Sequence, residues 1–318
     1  MTNDQQAFDL RLPNTKHQIP TPKHILSAAM RSEMVGVVGL GLLGGAIARR
    51  LNDRGVCVVG HDAKPEQRAS AAADNIAVVD TVAEVFDACE RILLCLPNGD
   101  VVRAVLESSV PHLRRGQTVI DTTTAAPEQM IGHAELLSRH QVSLVEAEVA
   151  GSSVQAARGE VLVFAAGDER DLAAVSDVLA AFAAEVHYVG HHGNAAKVKL
   201  VHNLVLGLHR AVLAEGLSLA KALGLDGLEV LKLLQRSPAA SVVMQSKGVK
   251  MAAREFTPQA TVRQHLKDVR LMLAAGEQAE VDLPLTAIHR LLLERVEGAG
   301  LGDLDNSAVI EAWSLPDP

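Results

Sequence analysis

The sequence predicts an α/β fold, with a doubly wound parallel sheet in front, one long helix, and an all-α second half. Three observations carry this. Short apolar runs alternate with helical stretches from Met34 to about Gly190. After Gly193 the strand signals stop and helix follows helix. The side chains available for packing are small and aliphatic, since 48% of the 318 residues are hydrophobic but only 2% are aromatic. Such a core suits parallel strands whose two faces are both covered by helices.

The elements read in order. MVGVVG is a strand, GGAIARRLNDRG a helix and VCVVGHD a second strand. Residues 69–75 and 82–88 read as helices, RILLCLP as a buried strand, and 101–106 as the start of another helix. QTVIDTTT is a strand running into a loop, and Pro127 opens the helix PEQMIGHAELLSRH, where proline fits the first turn. SLVEAEVAG, VLVFAAG and VHYVG complete the strands, with a helix over 171–184. Helices then cover 194–223, 227–236, 242–254, 262–277, 285–297 and 307–312, separated by Gly224, Pro238, Pro258 and Pro284. The expected division is an N-terminal extension over 1–33, a sheet domain over 34–192 and a helical domain over 193–318.

Composition removes several classes. A net charge of −8 argues against a nucleic-acid partner, which calls for a basic face. The longest apolar stretch, 198–223, is interrupted by Lys199, His202, Asn203, Arg210, Glu215 and Lys221, so it reads as a buried helix and no membrane span is expected. The first 33 residues carry Asp4, Asp9, Arg11, Lys16 and three prolines without an apolar run, unlike a secretory signal. They read as an extension, either free or an arm onto a partner subunit. Cys57, Cys89 and Cys95 form no paired motif, so three reduced, buried thiols and a cytoplasmic location are expected.

The first strand leads into Gly39, Gly41 and Gly44, a G-x-G-x-x-G spacing that opens a helix. The first glycine permits a tight turn, the second lets backbone approach a pyrophosphate, and the third lets helix and strand pack closely. Phosphates then sit on the helix N-terminus, where free N–H groups favour negative charge. Asp62 ends the second strand 18 residues beyond Gly44, where a carboxylate binds ribose hydroxyls and repels a 2′-phosphate. The pattern predicts a Rossmann domain holding NAD or NADP, with NAD favoured, although Lys64 and Arg68 just beyond could accept a phosphate. Gly39, Leu40, Gly41, Leu42, Leu43, Gly44 and Asp62 are the expected cofactor residues.

From Met34 to Trp313 the chain resembles the β-hydroxyacid dehydrogenases, the group of 3-hydroxyisobutyrate dehydrogenase and glyoxylate/succinic semialdehyde reductase. The motifs are DTTTAAP (121–127), EAEVAGS (146–152), GNAAKVKLVHN (193–203), the pair Lys267–Asp268, and GLGDLDNSAVIE near the end. The resemblance implies that Lys199 is the catalytic acid/base, with Asn203 four residues on along the same helix face. It implies substrate contacts at Thr123, Gly151 and Ser152, and cofactor-side contacts at Leu96, Pro97, Thr124 and Lys267. It also implies a small-molecule substrate and a homodimer or homotetramer. The chemistry fits a lysine: when hydride moves to or from a carbinol carbon, the oxygen must gain or lose a proton, and an ammonium stabilises that charge and supplies the proton. Apolar neighbours such as Val198, Leu200 and Val201 are expected to lower its pKa.

The motifs also depart from the family pattern. Ala195 stands where a second glycine is usual, Glu148 where the loop has proline, and Ala150 where it has serine. Glu148 puts negative charge where an anionic substrate would bind, so either it points away or the substrate differs from the usual small hydroxy acid. The histidines do not form a metal site: His202 and His209 are seven apart on one helix, and His191–His192 have no acidic neighbour. Two other activities fit the scaffold, an imine reductase and a catalytically silent NAD(P)-binding sensor. Lys199 argues against the first, and Lys199 with Asn203 against the second.

Overall fold

The computed structural model describes residues 34–315. Its first strand, β1 (Met34–Val38), is buried throughout, and alternate side chains enter different cores. Val35 and Val37 join the cluster on one face of the sheet, Met34 and Val38 the cluster on the other, as the two-residue period of a strand requires. This is why the strand reads as an unbroken apolar run.

The remaining strands are β2 (Cys57–His61), β3 (Ala77–Val78), β4 (Arg91–Leu94), β5 (Thr118–Asp121), β6 (Ser143–Ala150), β7 (Val161–Gly167) and β8 (Ala183–Tyr188). They form one sheet in the order β3-β2-β1-β4-β5-β6-β7-β8. All neighbours are parallel except β6 and β7, which run antiparallel with Glu148 opposite Phe164. The order reverses at β1, and crevices at the carboxyl ends of strands about such a switch point are where open sheets bind ligands.

The helices between strands have legible starts. Pro65 and Pro127 stand at first helical positions of Pro65–Ala73 and Pro127–Ser138, and Asn98 caps Gly99–Ser109 by accepting from the N–H of Val101. Thr81 and Glu84 form a capping box on Val82–Ala88. The long helix Asn194–Ala222 leads into Gly227–Leu234, Val242–Ser246, Gly248–Ala253, Val262–Gln278 and Pro284–Val296, and a 3₁₀ stretch covers Asn306–Trp313. These helices share an apolar core built on Leu213, Leu217, Val262, Leu266, Leu293 and Val309.

Some details differ from expectation. The helix expected over 171–184 is two short ones, Glu169–Ala174 and Ser176–Phe182, and its last residues belong to β8. The helix over 242–254 breaks at Lys247. Strand β3 and the helix Ser153–Arg158 are too short to leave a periodic signal. Cys57 is exposed rather than buried, because it opens β2 at the rim of the sheet; Cys95 is half-buried, Cys89 is buried, and all three cysteines are free. No helix among the described residues is long and apolar enough to cross a membrane. The extension 1–33 and the last three residues lie outside the described residues.

Candidate active site

The glycine loop sorts its residues by geometry. Gly39 turns with φ +95°, and a Cβ there would lie 2.2 Å from the carbonyl oxygen of Cys95. A Cβ on Gly44 would lie 2.0 Å from the carbonyl oxygen of Gly39. Both are therefore glycine for internal packing. A Cβ on Gly41 would meet nothing within 4 Å, so its smallness serves something outside the protein. Gly41 is also the N-cap of the helix Leu42–Asp53, with no side chain to cap it and no acidic residue in the first turn. An open, uncapped helix N-terminus fits a dinucleotide pyrophosphate.

Leu40 turns its side chain into the core and donates its N–H to Asp62 Oδ2 at 2.8 Å, while Lys64 N–H donates to Oδ1 at 2.8 Å. Asp62 thus joins the turn after β1 to the exit of β2. Arg68 folds back, its Nη1 donating to the carbonyl oxygen of Asp62 at 2.6 Å. Leu42 is exposed and Leu43 half-buried at the same rim.

Beside this edge lies a buried polar cluster. Asp121, at the end of β5, is fully buried; its Oδ1 accepts the N–H of Thr123 at 2.9 Å and its Oδ2 has no partner. Burial pushes this carboxyl up to about 7, opposed by the Thr123 N–H. Glu146 and Glu148 on β6 are two residues apart and so share a face. Glu146 accepts backbone N–H groups of Gly193 and Ala196, so it caps the long helix whose own N-cap, Gly193, lacks a side chain. An anion there also complements the helix dipole. Glu148 accepts from Thr124 Oγ1 at 2.9 Å on Oε2, and its buried Oε1 has no partner.

Lys199 emerges one turn beyond that cap. It is only 7% exposed, and its Nζ donates to the carbonyl oxygen of Val149 at 2.5 Å. Burial lowers its pKa, opposed first by the Glu148 carboxylate and then by Asp268. Burial raises Glu148, opposed first by Lys199. The desolvation does not come from Val201, which is 66% exposed on the outer side of the helix. Asn203 does not bond to Lys199; its Nδ2 donates to Asp268 Oδ2 at 3.1 Å.

The helix Val262–Gln278 closes the cluster from the other side. Lys267 Nζ donates to the carbonyl oxygen of Thr124 at 2.6 Å and of Pro97 at 3.4 Å, and pairs with Asp268 Oδ1 at 2.9 Å. Gln264 Nε2 reaches Pro97 O at 3.3 Å. Deeper, Arg210 is buried with His265 Nε2 at 2.9 Å, and burial depresses both, Arg210 to about 10.

Lys199, Asn203, Glu148, Thr124 and Lys267 thus come together at one place, with Leu96 and Pro97 on its edge. Three other residues are engaged locally. Thr123 Oγ1 accepts the N–H of Leu96 at 3.0 Å and is buried under the loop. Ser152 caps the helix Ser153–Arg158, accepting from Gln155 N–H at 3.3 Å. Gly151 is exposed at the exit of β6, where a Cβ would press on Val161. Glu146, Asp121 and Arg210 went unremarked in the sequence as site residues because no local spacing links them to Lys199; only the sheet and the helix crossing do. Asp268 was readable as the neighbour of Lys267.

Two family models cover almost all described residues. The NAD-binding domain of 6-phosphogluconate dehydrogenase matches residues 34–190, and the NAD-binding domain of NADP-dependent 3-hydroxyisobutyrate dehydrogenase matches residues 193–313. The chain belongs to the β-hydroxyacid dehydrogenase family. It is an NAD(P)-dependent oxidoreductase acting on CH–OH groups of small molecules. Among similar proteins, 2-(hydroxymethyl)glutarate dehydrogenase of Eubacterium barkeri is 28% identical over 287 residues, covering 89% of this chain and 95% of that one. Glyoxylate/succinic semialdehyde reductase 1 of Arabidopsis thaliana is 29% identical, covering 87% and 97%. The crystal structure of 3-hydroxyisobutyrate dehydrogenase from Salmonella typhimurium superposes with a TM-score of 0.82 at 27% identity, covering 87% and 99%.

Proposed function

We propose that this dehydrogenase interconverts a small β-hydroxy acid, or a close analogue, and the corresponding aldehyde acid, with Lys199 as the general acid/base. The observation that carries this is a buried lysine Nζ held on Val149 O beside Glu148, Thr124 and Lys267. A bound nicotinamide would supply the hydride acceptor for oxidation of the carbinol carbon and the hydride donor for the reverse reaction. Lys199 Nζ takes the hydroxyl proton on oxidation and gives it back on reduction, which requires a lowered lysine pKa. Asn203 holds Asp268, and the Asp268 carboxylate faces Lys267 and influences Lys199, so Asn203 acts as a positioning residue. Lys267 ties the helical half to the loops at Pro97 and Thr124 and closes the cleft over the reactants.

NAD is the favoured cofactor. The support is that Asp62 follows β2 beside the glycine turn, accepting the Leu40 N–H, and that Arg68 is bonded to its own loop carbonyl, which leaves a 2′-phosphate an acid rather than a free guanidinium. We further propose the division at 192/193 into cofactor and helical domains, a cytoplasmic location, and a homodimer or homotetramer. The last rests on the exposed side chains Val201, Val205, Val212 and Leu219 along one side of the long helix.

Titrating the protein with NADH by fluorescence, then assaying hydroxy acids, aldehyde acids and imines, tests the reading. Turnover of hydroxy or aldehyde acids supports it. Turnover of imines alone, or cofactor binding with no turnover of any class, would replace it by imine reduction or by a silent sensor.

A further inference from the structure

The two glutamates on one face of β6 are treated differently by their surroundings. Both oxygens of Glu146 receive backbone N–H groups from the start of the long helix. Glu148 lies one strand repeat further on, about 6–7 Å along β6, which brings it beside the turn that carries Lys199. It is fully buried, with Oε2 taking the Thr124 hydroxyl at 2.9 Å and Oε1 taking nothing. Lys199 does not complete it, because its ammonium lies on Val149 O. The neighbouring buried Asp121 likewise has an oxygen without a partner.

The local hydroxyls point to the same imbalance. Thr123 accepts the Leu96 N–H while its hydroxyl bonds Asp121, and Ser152 accepts the Gln155 N–H while donating to the Gln155 side chain. Position 150 is alanine and supplies no hydroxyl. On the β5–β6 side of Lys199 the buried oxygens without a partner belong to the carboxyl groups of Glu148 and Asp121, which accept hydrogen bonds and attract cations; the unpartnered Nε of Arg210 lies on the long helix itself. A buried acceptor left unpaired destabilises the site, and more so when it is charged. A ligand that donates to it removes that cost, and a charge-assisted bond is about twice as strong as a neutral one.

We infer that Glu148 is a specificity-determining residue, and that it selects alcohols and aldehydes bearing an ammonium on the carbon next to the reacting carbon. This rests on the dehydrogenase reading above and narrows its substrate. The ammonium donates to Glu148 Oε1 and balances the carboxylate charge, while the carbinol oxygen meets Lys199 Nζ. A methyl group in place of the ammonium has the same size and leaves Oε1 unpaired. Sites built around a substrate donor reject the analogue that lacks it far more strongly than apolar pockets reject a missing methylene.

Two pairs of matched substrates test this on the full-length protein with NAD and with NADP: serine against 3-hydroxyisobutyrate, and 2-aminoethanol against 1-propanol. In each pair an ammonium replaces a methyl. The expected wild-type result is a kcat/KM at least about tenfold higher for the ammonium member of a pair that turns over. Glu148→Gln is expected to bring that ratio near one while NADH affinity, read by fluorescence, stays unchanged; Glu148→Asp retains part of it. The wild-type ratio needs no variant to fold. A wild-type preference for the methyl member, or a ratio unchanged in a Glu148→Gln protein that still binds NADH, overturns this inference alone. Turnover of hydroxy acids by none of the proteins overturns the dehydrogenase reading together with it.

Discussion

The ammonium of Lys199 rests on the carbonyl oxygen of Val149 at 2.5 Å, and Val149 directly follows Glu148 on the same strand. One strand end therefore both anchors the lysine and sets a carboxylate beside it. The anchor depends on Glu146, which fixes the first turn of the long helix against the same strand. Position and protonation of the lysine are set by three groups of one strand: the Glu146 cap, the Val149 carbonyl anchor and the neighbouring Glu148 carboxyl.

The first prediction concerns pH. Oxidation needs neutral Lys199, and burial lowers its pKa from the ordinary 10.5. The kcat for oxidation should therefore rise with pH and level off below 10.5. The kcat for reduction should fall over the same interval, because reduction needs the proton in place. Glu148 and Asp268 oppose the lowering, so Glu148→Gln should move the oxidation limb to lower pH. A limb unmoved by that change, followed in pH–rate profiles, would separate Glu148 from the lysine.

The glycines of the first loop should separate binding from folding. Gly41→Ala meets open space, so stability should change by less than about 1 kcal/mol, the scale of a helix-cap substitution. NADH affinity should fall at least about tenfold, as backbone approach to the pyrophosphate is blocked. Gly44→Ala puts a carbon 2.0 Å from the Gly39 carbonyl oxygen and should destabilise the fold itself by about 1–3 kcal/mol, as overpacking does. Urea denaturation and NADH titration on both variants check this.

Lys267 joins the two halves through Thr124 O and Pro97 O. Lys267→Ala should raise the KM for cofactor and substrate and lower kcat, with thermal stability nearly kept because the side chain is partly exposed. Steady-state kinetics beside a melting curve would register the difference.

Asp305 and Lys247 form the buried ion pair of the helical half, with both carboxylate oxygens 2.8 Å from Nζ. Asp305 also accepts N–H groups of Gln259 and Ser307. Lys247→Met removes the nearer of two cations from a buried carboxylate, leaving Lys250 Nζ at 3.6 Å, and should cost up to about 3–5 kcal/mol at pH 7. The lysine holds the Asp305 carboxyl down at about 2 against an ordinary 3.8. Its folded pKa is the lower one, so this stabilisation is complete above 3.8 and is lost as pH falls toward 2. The gap between wild type and Asp305→Asn in denaturation midpoint should shrink across that window.

The sequence made the cofactor edge readable because its signals are local: a strand, three glycines, a helix and an acid at the next strand end. The strand runs were readable because both sheet faces are buried. Lys199 was reachable only through its motif, since a lysine on an amphipathic helix is ordinary until β6 is packed against it. The partners of the lysine were out of reach for the same reason. Val149 O lies 50 residues away in sequence, and Asn203 meets Asp268 across 65. The hydroxyls of Thr123 and Ser152 read as substrate contacts from their motifs, while turn and cap geometry engage them within the chain.

The most direct test of the account is Lys199→Met, compared with wild type in single-turnover hydride transfer and in NADH binding. Loss of turnover by at least about 100-fold, the low end of a general acid/base contribution, with NADH affinity within about twofold of wild type, is the predicted result. Turnover near the wild-type rate in a protein that still binds NADH would contradict it.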